Sequence, residues 1–128
     1  MAYSYRKEVD MPFEQALERV TEALQKEGFG VLTEIDVQAT LKKKLNVDHK
    51  KYKILGACNP PLAHKALQFD PEIGVLLPCN VLVYESEQGK TIVSAVDARA
   101  MFQVVGDDRV QPIAEEVNNR LKNVINNI

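Results

Sequence analysis

The chain has 128 residues, 45% of them apolar and 27% charged, with a formal net charge of -2. That size suits one domain, 1–128, around one core, and the charge balance excludes the excess of Lys and Arg on which general nucleic-acid binding depends. No apolar stretch reaches the ~20 residues of a membrane span. No apolar segment of secretory length follows Arg6-Lys7 either, so a cytoplasmic protein is expected.

Tyr3, Tyr5, Lys7 and Val9 alternate with Ser4, Arg6 and Glu8, the period of a half-buried strand ending near Val9. Asp10 is placed to cap the helix that follows, with Pro12 at an early helical position. Phe13, Ala16, Leu17, Val20, Ala23 and Leu24 draw its apolar stripe, and Gly28 ends it. Phe29 to Ile35 is β-branched and aromatic, which predicts a second strand pairing with the first. Asp36 then caps a short helix carrying Val37, Leu41 and Leu45, and Asn46 ends it in the left-handed conformation. Lys42, Lys43 and Lys44 lack interleaved aromatics and read as a solvated face.

Tyr52 to Cys58 alternates as a strand, with Tyr52, Ile54, Gly56 and Cys58 on one face. Asn59 caps the next helix, whose first turn accommodates Pro60 and Pro61. Its expected buried stripe is Leu62, Ala63, Ala66 and Leu67, with His64, Lys65 and Gln68 pointing away. Asp70-Pro71 breaks it, and Gly74 opens an apolar run to Tyr84 that predicts a strand covered on both faces, bulged or at an edge near Pro78. Gln88-Gly89 turns the chain into a strand over Thr91 to Val96. Asp97 caps a short helical turn through Phe102, and Gly106-Asp107-Asp108 opens the last helix. That helix carries the stripe Val110, Ile113, Ala114, Val117, Leu121, Val124, Ile125 and Ile128.

Leu55-Gly56-Ala57-Cys58-Asn59-Pro60 with Ala63 and Ala66-Leu67, then Leu76-Leu77-Pro78-Cys79-Asn80-Val81 and the hairpin ending in Asp97, resemble the bacterial and archaeal domain-of-unknown-function 302 family. Gly28-Phe29 and Thr33-Glu34-Ile35-Asp36 extend the likeness over nearly the whole chain. The resemblance implies an α+β fold related to single-copy TATA-binding-protein-like domains, a mainly antiparallel sheet with helices packed on it, and a homodimer of no established activity. Family members often carry proline where this chain has Ala98, a departure at the Asp97 turn.

Several chemistries are set aside at once. No Gly-x-Ser-x-Gly, phosphate loop or dinucleotide fingerprint occurs. Two cysteines twenty residues apart form neither a disulfide framework nor a Cys-x-x-Cys pair. Metal binding would recruit Cys58, Cys79 and His64, with Asp97 or His49 as fourth ligand, but lacks the close paired spacing of structural zinc sites.

Cys58 lies just before a helix start, where free N–H groups and the helix dipole favour a thiolate. A dipole term of about 0.3–1 kcal/mol moves a pKa by less than about one unit, so the dipole alone leaves mainly thiol at neutral pH. Both cysteines also fit as small buried hydrophobes. Two readings stay open: a homodimeric module binding a small molecule or metal near Cys58 and Cys79, and a thiol-dependent enzyme or redox protein using Cys58. On either, Cys58, Asn59, His64, Cys79 and Asn80 are the candidate site, with no cofactor identified.

Overall fold

In the computed structural model, which describes residues 2–128, the chain begins with β1 (Ser4–Val9), α1 (Phe13–Lys26), β2 (Gly30–Asp36) and α2 (Val37–Leu45). Next come β3 (Tyr52–Cys58), α3 (Pro60–Phe69), the hairpin β4 (Cys79–Glu85) and β5 (Thr91–Val96), α4 (Ala98–Phe102) and α5 (Gln111–Asn126). The strands form one antiparallel sheet in the order β1-β5-β4-β3-β2, the α+β architecture expected.

The expected pairing of the first two strands is wrong. β1 pairs with β5 and β2 with β3, on opposite edges of the sheet. The hairpin β4–β5 is apolar on both faces and takes the middle, while the edges go to strands with polar alternation, Arg6 and Glu8 in β1 and Thr33 and Glu34 in β2. α1 crosses the sheet between the edges, burying Phe13, Ala16, Val20, Ala23 and Leu24. Asp10 does not cap it. Pro12 is itself the N-cap, its carbonyl accepting from Ala16 N at 3.0 Å, and Asp10 lies two residues too early.

Other capping expectations hold. Asp36 Oδ1 accepts from Ala39 N at 2.9 Å, and Asn46 ends α2 at φ 54°. The apolar run after Gly74 is only partly strand. Pro71–Leu76 is a 3-10 turn started by Asp70, the Leu77–Pro78 bond is cis, and the ladder begins at Cys79. Proline has no N–H to give a ladder, so it precedes the strand; the irregularity lies in β2 instead, between Val31 and Thr33. α3 also differs from its expected stripe. Ala66 alone is fully buried and Leu67 is exposed, because α3 lies at the margin of the core against α5.

Register divides the sheet into two faces. Val9, Val93, Ala95, Val81, Val83, Leu55 and Ala57 point into the core beneath α1 and α5. Arg6, Ser94, Leu82 and Ile54 form a row on the opposite face, and Glu8, Ile92, Tyr84 and Tyr52 form the next. α2, which follows β2, buries no residue, and this opposite face stays open, with Tyr52, Ile54, Leu82 and Tyr84 half-buried. Gly56 also lies on it, where a Cβ would strike Thr33 Oγ1 and come within 2.7 Å of Pro78 Cγ. Only glycine admits that close approach. Among the described residues, no helix is long and apolar enough to cross a membrane.

Candidate functional site

Strand ends bring part of the expected site together. Cys58 closes β3, Asn59 starts α3, and Cys79 opens β4 beside Ala57. Asn59 is well employed: Oδ1 accepts from Leu62 N at 3.4 Å and Nδ2 donates to the Glu27 carbonyl at 3.4 Å. Arg120 Nη1 donates to the same carbonyl at 3.0 Å, so the end of α1 is tied to both α3 and α5. Gly28 makes room for this knot, with φ +84° and any Cβ only 3.0 Å from Asn59 Nδ2.

Cys58, Asn59 and Cys79 line a cavity of about 20 Å³ closed by Phe29, Phe102 and Val117. That volume holds about one water, far below the ~300 Å³ at which ligand pockets begin. Burial pushes the Cys79 thiol up to about 12 and raises Cys58 as well. The expected thiolate bias at the helix start is therefore reversed. Pro60 and Pro61 have no N–H to offer the sulfur, Leu62 N is taken by Asn59, and loss of solvent decides the balance.

This predicts the titration of both thiols. In the native protein Cys79 should resist iodoacetamide through pH 9, and Cys58 should react more slowly than a free thiol at neutral pH. The folded pKa of Cys79 lies above its unfolded value, so its contribution to stability is complete below pH ~8.5 and is lost as pH rises towards 12. Rapid alkylation of both thiols at pH 7 in folded protein would contradict the arrangement.

The other two expected residues lie elsewhere. His64 is exposed on the outer side of α3. Asn80 is exposed on the open sheet face beside Gly56, since neighbours along a strand point to opposite sides. Among the described residues, no three His, Cys, Asp or Glu side chains gather closely enough to hold a metal ion. Asp97 is already engaged, Oδ1 capping α4 through Arg99 N and Ala100 N and Oδ2 accepting from Tyr5 Oη at 3.2 Å.

Two features escaped the reading of the sequence. One is a groove between α3 and α5, made of adjoining depressions of about 470 and about 490 Å³ that share Lys65, Pro112 and Ile113. Of its cations, Arg120 is paired with Glu116 at 3.0 Å. Arg109 is paired with Asp107 at 2.8 Å and lies 5.6 Å from the Phe69 ring centre. The guanidinium of Arg109 holds the Asp107 carboxyl down at about 2. Among the described residues, Lys65 has no ionic partner. Its outward position on α3 was legible, but the helix facing it was not.

The second is a polar clasp. Tyr5 Oη donates to Asp97 and accepts from Asn118 Nδ2 at 2.9 Å and Arg99 Nη2 at 3.2 Å, while Asn118 Oδ1 accepts from Ala98 N at 3.0 Å. Every buried side-chain polar atom among the described residues has a partner, so this cluster fastens β1, α4 and α5 rather than awaiting a ligand.

The family model described as domain of unknown function DUF302 matches residues 5–128. The fold is similar to the crystal structure of the uncharacterised conserved protein DUF302 from Bacillus stearothermophilus, with TM-score 0.92 and 28% identity, over 99% of this chain and 98% of that one. No curated protein matches the sequence.

Proposed function

We propose that this chain, which belongs to the DUF302 family, is a homodimeric module that binds a small molecule in the α3–α5 groove, next to the packed cysteines, and performs no thiol chemistry. The observation that carries the reading is the groove's Asn59 end. It offers about 470 Å³ over Pro61, Leu62, Pro112 and Ile113, with Lys65 at its rim. That volume and that apolar floor with few polar groups suit a small organic ligand, and an uncommitted ammonium favours one bearing an anionic group. The small cavity beside Cys58 and Cys79 borders the same floor at Asn59, Leu62 and Ile113, so the cysteines act as its backing. Two thiols held protonated by burial speak against the redox alternative. Dimerisation is supported by the sheet face opposite α1 and α5, on which the apolar Ile54 and Leu82 and the rings of Tyr52 and Tyr84 stay half-buried.

Native mass spectrometry of protein isolated from its own host tests the ligand. The expected result is a discrete non-covalent mass increment on each 14.4 kDa chain that Lys65→Glu removes. A bare chain mass overturns the reading.

A further inference from the structure

Three aromatic rings meet at one end of the open sheet face. Tyr52 and Tyr84 are cross-strand partners whose rings stack at 5.1 Å, and His49 stands edge-on to Tyr52 at 5.9 Å. The backbone holds the imidazole there. Its Nδ1 lies 2.8 Å from the Lys50 carbonyl, which can only accept, so Nδ1 donates and Nε2 of the neutral ring remains an acceptor. A trough of about 700 Å³ runs over these rings between the 48–50 loop and the turn after β4, inside the ~300–1,000 Å³ range of small-molecule sites. Burial raises the Tyr52 hydroxyl, with Tyr84 and Tyr3 opposing its ionisation further, so that phenol stays neutral.

We infer that this trough is a second ligand site, separate from the α3–α5 groove and on the other side of the sheet, that takes a free nucleotide: its base stacks on Tyr52 and Tyr84, and Arg6 and Lys50 hold its phosphate. The rings set the base end, since an aromatic face stacks on any base without reading its edge. Charge sets the other end. Arg6 and Lys50 line the trough, are exposed, and have no ionic partner among the described residues. Of the three acids that line it, Asp48 is bound to Lys42 at 3.1 Å, and Glu85 falls in step with Val81 and Val83 on the helix-covered side, where its charge acts on Lys51. Glu87 alone is left, so the trough keeps a positive excess.

Spacing favours an anion carried on a linker. Tyr84 and Arg6 stand on β4 and β1, two strand spacings or roughly 9.6 Å apart, which a phosphate on a ribose spans better than a carboxylate on the ring itself. Gln88 at the rim offers both a donor and an acceptor to a base edge. A nucleic-acid strand fits less well. It needs a cationic groove several nucleotides long, whereas Glu87 bounds this site at the turn and Glu8 stands at the β1 end of the tyrosine row, in a chain of net charge -2.

NMR titration with adenosine 5′-monophosphate (AMP), adenosine and a short oligodeoxyadenylate tests the site. The Tyr52 and Tyr84 ring signals are expected to shift with AMP, with a Kd below about 10 mM, and AMP to bind at least about threefold more tightly than adenosine. Arg6→Gln/Lys50→Gln should bring AMP down to the affinity of adenosine and leave adenosine itself unchanged. Both side chains are exposed, so that variant keeps the fold. Tyr84→Leu keeps apolar cover on the sheet and should weaken both ligands about fivefold or more, the lower end of what a base stacked on an aromatic ring contributes. Rings that do not move with AMP overturn the site. So does AMP that binds no more tightly than adenosine, or AMP binding that both variants leave unchanged. An oligonucleotide that binds more than about tenfold more tightly than AMP assigns the surface to nucleic acid, and rings that shift with protein concentration but not with AMP assign it to a second copy. Either result overturns the inference.

Discussion

Leu121→Ala should cost about 2–5 kcal/mol of folding stability. Leu121 lies on the buried stripe of α5, is 0% exposed, and belongs to the single cluster that joins α5 to α1 and the covered face of the sheet. Truncation removes three carbons' worth of transfer energy and leaves a cavity. Neighbours Val117, Val124 and Ile125 are fixed on the same helix and cannot close over it cheaply. A domain of this size is stable by only about 5–15 kcal/mol, so the loss is a large fraction of the whole. Urea unfolding followed by circular dichroism measures it. Val104→Ala is the control, because Val104 is exposed and its truncation should register almost nothing. If Leu121→Ala falls within half a kcal/mol of wild type, the stripe is not the core.

Local signals in the sequence were the ones that survived folding. The stripe of α1, the alternation of β3 and the caps at Asp36, Asn59 and Asp97 depend on neighbours a few residues away, and each stands as expected; the stripe of α5 stands from Ile113 to Ile125, while Val110 belongs to a preceding 3-10 turn capped by Asp107 and Ile128 lies beyond the helix end. Strand partnership is non-local, so nothing within Ser4–Val9 announces that its partner lies near residue 93. The burial of α3 likewise depends on α5, which arrives some fifty residues later.

The candidate site divides along the same line. Cys58, Asn59 and Cys79 meet because antiparallel neighbours end and begin at one margin of the sheet, so their convergence could be read from paired motifs. Asn80 could have been excluded in advance. A strand alternates faces, and Asn80 is adjacent to Cys79. The groove at Lys65 required knowing that Pro112 and Ile113 lie opposite, and no spacing rule carries that.

The Ala98 departure now has a physical consequence, and it yields a result that single substitutions cannot. Asn118 is 0% exposed, and its side chain joins the Ala98 N–H to the Tyr5 hydroxyl. Asn118→Ala breaks both bonds and strands the buried Ala98 N–H; Tyr5 keeps Asp97 and Arg99 as partners. Two lost bonds plus one stranded donor amount to about 2–4 kcal/mol. Ala98→Pro removes that donor altogether. Ala98 is the first residue of α4, where the fixed φ of proline is compatible with the helix, and Asp97 before it is already extended at φ −78°, ψ 104°. In wild type the substitution should still be costly, since it leaves Asn118 Oδ1 unpaired in the core and drives the ring against it. In Asn118→Ala the orphaned N–H disappears and the ring enters the space the amide vacated. The pair should therefore be strongly non-additive, with Ala98→Pro harmful alone and neutral or stabilising in the Asn118→Ala background, by a coupling of at least about 1 kcal/mol. Urea unfolding of the four proteins of this cycle measures the coupling directly. Additivity within about 0.3 kcal/mol would mean that the Ala98–Asn118 bond does not hold the α4 turn.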